Sequence, residues 1–144
     1  MELKVKKVRD NAILPTRGSE KAAGIDLYAC IDEPIVIMPG ESARFGSGLA
    51  FNIPEGYFGA ICVRSSVGIK RNLALMNQLG VIDEDYVGEV IMAFRNMGKE
   101  PQTINPGERL AQMILLPYVT YNIVETDTLS ETERGEGGIG STGV

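Results

Sequence analysis

The 144 residues are enough for one domain with its own core, and 44% hydrophobic with 23% charged residues is the balance of a globular chain. A net charge of −5 argues against a general nucleic-acid surface, and the absence of histidine removes Ser-His-Asp and Cys-His catalysis and every His-based metal site. Any metal would then be a hard cation held by oxygen: magnesium, manganese or calcium.

The N-terminal MELKVKKVRD has no apolar signal-like region and no run approaches membrane-spanning length, so a cytoplasmic location and no membrane partner are expected. Leu3, Val5 and Val8 stand among lysines over residues 2–9, which predicts an edge strand with lysines on its open side. Residues 11–21 carry Pro15 and Gly18 and read as a loop. AAGIDLYA, residues 22–29, predicts a strand that other backbone approaches closely at Gly24. Asp26 sits inside it. A carboxylate there needs a cation or a hydrogen-bond donor, or else it caps a neighbouring turn. Ile35–Met38 is a strand, Pro39-Gly40 a turn, and Ala43–Ile53 a strand broken at Gly46 and Gly48. Pro54-Glu55-Gly56 turns the chain into the strand Tyr57–Val63. Cys30 and Cys62, each in an apolar run, read as small core residues, with a disulfide as the alternative. This rhythm of short strands and turns predicts an antiparallel sandwich or barrel.

Arg64-Ser-Ser-Val-Gly68 follows directly. Ser65 or Ser66 is placed to cap a short helix running to about Arg71. The stretch reads either as that cap or as an anion site of amides, hydroxyls and a guanidinium. GVIDEDYVGEV, residues 80–90, holds Asp83, Glu84 and Asp85 between apolar runs and predicts a β-hairpin. Its carboxylates read as a solvated turn or as a rigidly held general base. Asn96-Met97-Gly98 and Pro106-Gly107 are turns, and Glu108–Leu116 is an apolar strand in which Arg109 and Gln112 need partners. From about Asn122 the chain turns polar and acidic, and it ends in a glycine-rich segment from Arg134. The division is a core over 1–121 and an arm over 122–144, the arm being either free or ordered by phosphates. Its G-x-G-x-x-G has no strand-to-helix context, so no dinucleotide fold is read from it. Val87 and Phe94 occupy positions where a calcium loop needs oxygen ligands.

In order and spacing, AAGIDLYA (22–29), RSSVG (64–68), GVIDEDYVGEV (80–90), PGERLAQMIL (106–115) and RGEGGIGSTG (134–143) resemble the five motifs of the trimeric deoxyuridine triphosphatase (dUTPase) family. The resemblance spans nearly the whole chain. It implies an all-β jelly roll or distorted barrel with one short helix and a flexible C-terminal arm. It also implies a homotrimer with active sites shared between subunits. The implied reaction is Mg²⁺-assisted hydrolysis of dUTP to dUMP and pyrophosphate, limiting uracil in DNA and supplying dUMP for dTMP synthesis. By motif position Asp83 would activate the attacking water, and Tyr86 would pack on the deoxyribose. Asn77 and the backbone of Gly80, Val81 and Ile82 would hold the uracil edge. Arg64, Ser65, Ser66, Gly68 and Gln112 would face the phosphates, and Asp26 would reach the metal through water. Arg134, Gly138, Ile139, Gly140, Ser141 and Thr142 would close over the nucleotide as part of a neighbouring subunit's arm. Two positions depart from the family pattern: Ile139 replaces the usual aromatic ring over the uracil, and Val63 replaces a common proline. A dCTP deaminase on a related fold and a nucleotide-gated regulator of other proteins are the competing readings. The intact IDEDY segment and the short chain argue against the deaminase.

Overall fold

A computed structural model describes residues 1–139, and among them the chain forms eleven strands and one short helix. Glycine and proline turns set most of the breaks. β1 (Lys4–Lys7), β2 (Ile25–Tyr28) and β3 (Ile35–Ile37) come first. β4 (Ser42–Gly46) and β5 (Leu49–Asn52) are the two halves of the stretch interrupted at Gly46 and Gly48. Gly48 has φ +70, and a Cβ there would lie 2.5 Å from that of Ala12, so this break requires glycine. β6 (Tyr57–Val63) leads into α1 (Ser65–Arg71), then β7 (Leu73–Leu75) and β8 (Gly80–Ile82). β9 (Ile91–Asn96), β10 (Gln102–Ile104) and β11 (Arg109–Pro117) complete the set.

Every ladder is antiparallel. One sheet runs β2-β11-β6-β8 and the other β4-β9-β7, with β1-β5 and β10-β3 as two-stranded pieces. Alternation sorts the faces. Met92, Phe94 and Asn96 of β9 are buried while Ile91 and Arg95 face out. Leu27, Ile61 and Met113 of the first sheet join Phe45, Met92, Phe94 and Leu73 in one core cluster. The rings of Phe45 and Phe94 stack at 5.9 Å across β4 and β9. The result is the jelly-roll-like, almost all-β architecture expected of the sequence.

Three local expectations are corrected. Residues 80–90 are not a hairpin: β8 pairs with β6 and β9 with β4 and β7, so the acidic segment crosses from one sheet to the other. Each flanking strand gains a longer partner elsewhere, and the tight turn is not needed. Cys62 is not a core residue. It lies directly opposite Gln112 on the half-buried outward face, and both cysteines are free thiols. The helix is capped by Arg64, without a side-chain bond, rather than by either serine.

One buried polar residue holds several turns. The Asn96 amide donates to the carbonyls of Ile37 (2.9 Å) and Glu100 (2.8 Å), and its oxygen accepts the Gly98 N–H (2.9 Å). It is fully buried. Asn96→Ala should strand these groups, cost about 3 kcal/mol and lower Tm by roughly 10 °C. Thermal and denaturant melts check this, and an unchanged melt would show that the turns hold without it.

Candidate active site

Asp26, Gln112 and Cys62 lie side by side across β2, β11 and β6, so their side chains share the outward face of the sheet. Asp26 is buried. A lone buried carboxylate would be expensive, and two guanidiniums meet it. Arg64 Nε stands 2.9 Å from Oδ1 and Arg109 Nη1 3.2 Å from Oδ2. Two cations to one anion leave the cluster net positive, and the Arg109 side chain is about half exposed at 47%. Ser65 and Ser66 follow Arg64 as the first two helical residues, both exposed, where amides have no intrahelical acceptor. Gly68 lies one turn on, packed against Val63. Cation, amides, hydroxyls and the Gln112 amide thus gather at one end of the face. Such a set suits a polyanion.

The acidic loop lies at the other end. Ile82 turns into the core, so Val81 and then Asp83 turn outward. Ile82 pairs with Gly59, which places Asp83 beside Phe58. Phe58, Leu79, Val81, Asp83, Glu84, Asp85 and Tyr118 line an open cleft of about 590 Å³. The four carboxylates of the loop are put to different uses. Glu84 accepts the Gly56 N–H at 2.7 Å. Glu89 accepts the Gly48 N–H at 2.8 Å and pairs with Arg9 at 2.9 Å. Among the described residues the Asp83 and Asp85 carboxylates hold no such partner, which leaves them available for chemistry. The Glu84 carboxylate, first by hydrogen bonding, also raises the Tyr118 phenol above its ordinary pKa.

Tyr86 is placed by its own loop. Its N–H donates to Asp83 O at 3.1 Å and its hydroxyl to Glu89 O at 2.9 Å. The ring lies over Gly88, where an added Cβ would sit 2.5 Å from the hydroxyl oxygen. Gly80 is equally constrained: a Cβ there would be 2.9 Å from that of Ile61. Asn77 lies beside it, exposed at the turn between β7 and β8.

The two ends do not meet within one chain. Phe58, beside Asp83, and Arg64 are separated by six residues of strand, about 20 Å at roughly 3.3 Å per residue. The arm is apart from both. Beyond Pro117 no helix or strand forms among the described residues, and Val119, Tyr121, Ile123, Val124 and Leu129 are each at least 78% exposed. Arg134 donates to Gly137 O within a local turn, and Gly138 and Ile139 are exposed. Gly140, Ser141 and Thr142 lie outside the described residues. Sequence reasoning reads Glu84 only as one of the turn's carboxylates and passes over Glu89, yet both anchor the loop. A signal for the second was present in the Gly46 and Gly48 pair, whose missing side chains leave room for a carboxylate.

A dUTPase family model matches residues 10–143. The deoxyuridine 5'-triphosphate nucleotidohydrolase of Hydrogenobaculum sp. is 40% identical over 144 residues, covering 100% of this chain and 99% of its own. That of Nautilia profundicola is 42% identical, covering 99% of both. Among solved structures, the dUTPase of Staphylococcus bacteriophage 80alpha with dUpNHpp superposes with a TM-score of 0.90 at 30% identity, covering 99% of both chains. The dUTPase of phage phi11 of S. aureus, described as coordinating a structural Mg(II) ion, has a TM-score of 0.80 at 26% identity, covering 89% of this chain and 98% of its own. With its motifs and the near-complete match in agreement, the chain belongs to the dUTPase family.

Proposed function

We propose that the protein hydrolyses dUTP to dUMP and pyrophosphate at sites assembled from several copies of the chain. The carrying observation is the placement of Asp83: an unpartnered carboxylate on a tethered loop, about 20 Å along β6 from the cationic cluster. In one chain the base and the phosphate ligands serve no common substrate. In a homotrimer, Asp83 of one copy faces Arg64, Ser65, Ser66 and Gln112 of the next. The exposed apolar residues of the arm support the same assembly, since such a strip normally has a partner.

In this reading Asp83 takes a proton from water as the water oxygen bonds to the α-phosphorus. The bond from that phosphorus to the α–β bridging oxygen breaks, and pyrophosphate leaves with the electron pair. Arg64 and the Ser65 and Ser66 donors neutralise charge on the leaving side. Gln112 and Gly68 line the α-phosphate. Tyr86 covers the sugar face and leaves no room for a 2′-hydroxyl. Asn77 and the Gly80–Ile82 backbone read the uracil edge. Arg134, Gly138, Ile139, Gly140, Ser141 and Thr142 close the arm over the nucleotide, with Ile139 supplying cover but no aromatic stacking.

Magnesium fits this donor set as an ion carried on the substrate. Among the described residues no three carboxylates or thiolates converge into a cage. Asp26 already answers two arginines, and its remaining lone pairs suit hydrogen bonds from metal-bound water. Bound there, Mg²⁺ would neutralise phosphate charge. No described helix is long and apolar enough to cross a membrane, and a cytoplasmic location suits the two free thiols. A second reading, a nucleotide-gated protein regulator, is favoured by the phage 80alpha relative, described as controlling transfer of virulence genes by a G protein-like mechanism. Partner capture with and without nucleotide separates the two.

Asp83→Asn should lower kcat by at least about 100-fold while nucleotide Kd, read by calorimetry, stays within a few-fold. Appreciable turnover would remove Asp83 as the base. Deleting residues 134–144 should cut kcat by on the order of tenfold or more with the melting curve unchanged. Asp83→Asn and Arg64→Ala chains, each inactive alone, should recover activity when coexpressed, because mixed assemblies contain some intact sites. No recovery in assemblies shown to be mixed would place each site within one chain.

A further inference from the structure

Glu89 carries no assigned role, yet it is the most tightly engaged side chain of the acidic loop. Oε1 accepts the Gly48 N–H at 2.8 Å, and Oε2 pairs with Arg9 at 2.9 Å. The carboxylate lies in the space that a side chain at Gly46 would fill: a Cβ there would be 1.9 Å from Oε1. On the other side of the same residue, the Glu89 carbonyl accepts the Tyr86 hydroxyl at 2.9 Å, with the ring against Gly88. One residue therefore ties the Tyr86 ring to the end of β4 and the start of β5, both of which reach the core at Phe45 and Leu49.

We propose that Glu89 is a positioning residue that fixes the Tyr86 ring and so sets the enzyme's preference for deoxyribose over ribose. This rests on the reading of Tyr86 as the residue against the sugar. A ring that excludes one oxygen atom must be held to a fraction of an ångström, and discrimination of this kind is lost when the wall gives. The two Glu89 contacts differ in weight. The pair with Arg9 is exposed on the arginine side at 47%, where ion pairs contribute little. The bond to the Gly48 amide is part-buried and joins a carboxylate to backbone, which is the stronger kind. Glutamine keeps that acceptor and loses only the charge.

The test is the ratio of kcat/KM for dUTP to that for UTP. Glu89→Ala should lower it about tenfold, mainly through KM, since Asp83 is untouched. Gly46→Ala should lower it likewise by displacing the carboxylate without removing it, and it serves if Glu89→Ala folds poorly. Glu89→Gln should stay within about twofold of the parent. Tyr86→Ala is the control for the underlying reading. A reduced ratio in Tyr86→Ala with parental ratios in both Glu89→Ala and Gly46→Ala overturns the inference. An unchanged ratio in Tyr86→Ala overturns the sugar-face reading itself, and the inference with it.

Discussion

A carboxylate set beneath the edge of a β-sheet survives only where cations come to it, and Asp26 is where two of them come. Arg64 arrives from the end of β6 and Arg109 from the start of β11, so one anion joins three neighbouring strands at the same level. Losing one partner of such a buried pair is far more damaging than never having built it. The arrangement also orders the cationic end of the face within the chain itself. The arginines need not search for a geometry, because a protein carboxylate already holds them in one.

The acidic loop shows the opposite use of the same chemical group. Glu84 and Glu89 are consumed by backbone amides at Gly56 and Gly48, and each ties the sheet-to-sheet crossing to a neighbouring segment. Asp83 stands directly before the first of these tethers, and among the described residues its own carboxylate is not tied. A catalytic carboxylate needs a stiff support and an open lone pair together. Division of labour among adjacent acidic residues supplies both, whereas a hairpin would have provided the stiffness through cross-strand ladder bonds.

Much of this was legible from residues alone. Tyr57–Val63 reads as a strand because its apolar run is bounded by Gly56 and Arg64, and the Gly46 and Gly48 break is where one long run becomes two strands. Asp26 stood out as a charge needing a cation, and Arg109 as a cation needing a partner, though nothing in the spacing said that they needed each other. What was missed has two causes. The hairpin reading of residues 80–90 assumed that strands close in sequence pair, while β8 and β9 each find better partners far along the chain. Cys62 reads as inward from its apolar neighbours, but its place on the outward face follows from a register visible only once β6 and β11 are aligned. β10 escaped notice because three residues with one buried side chain carry almost no periodic signal. For the acidic segment and for Cys62, local pattern was sound and long-range pairing decided; for β10 there was too little local pattern to read.

The arm that follows Pro117 has a consequence for the life of the molecule before it works. Val119, Tyr121, Ile123 and Val124 leave the ribosome after the strands that precede them, and they stand bare to solvent on that folded body. While exposed, they are apolar surface open to chaperones, proteases and stray aggregates. Selection on this segment thus acts on how long that surface stays bare, independently of anything that happens at the cleft.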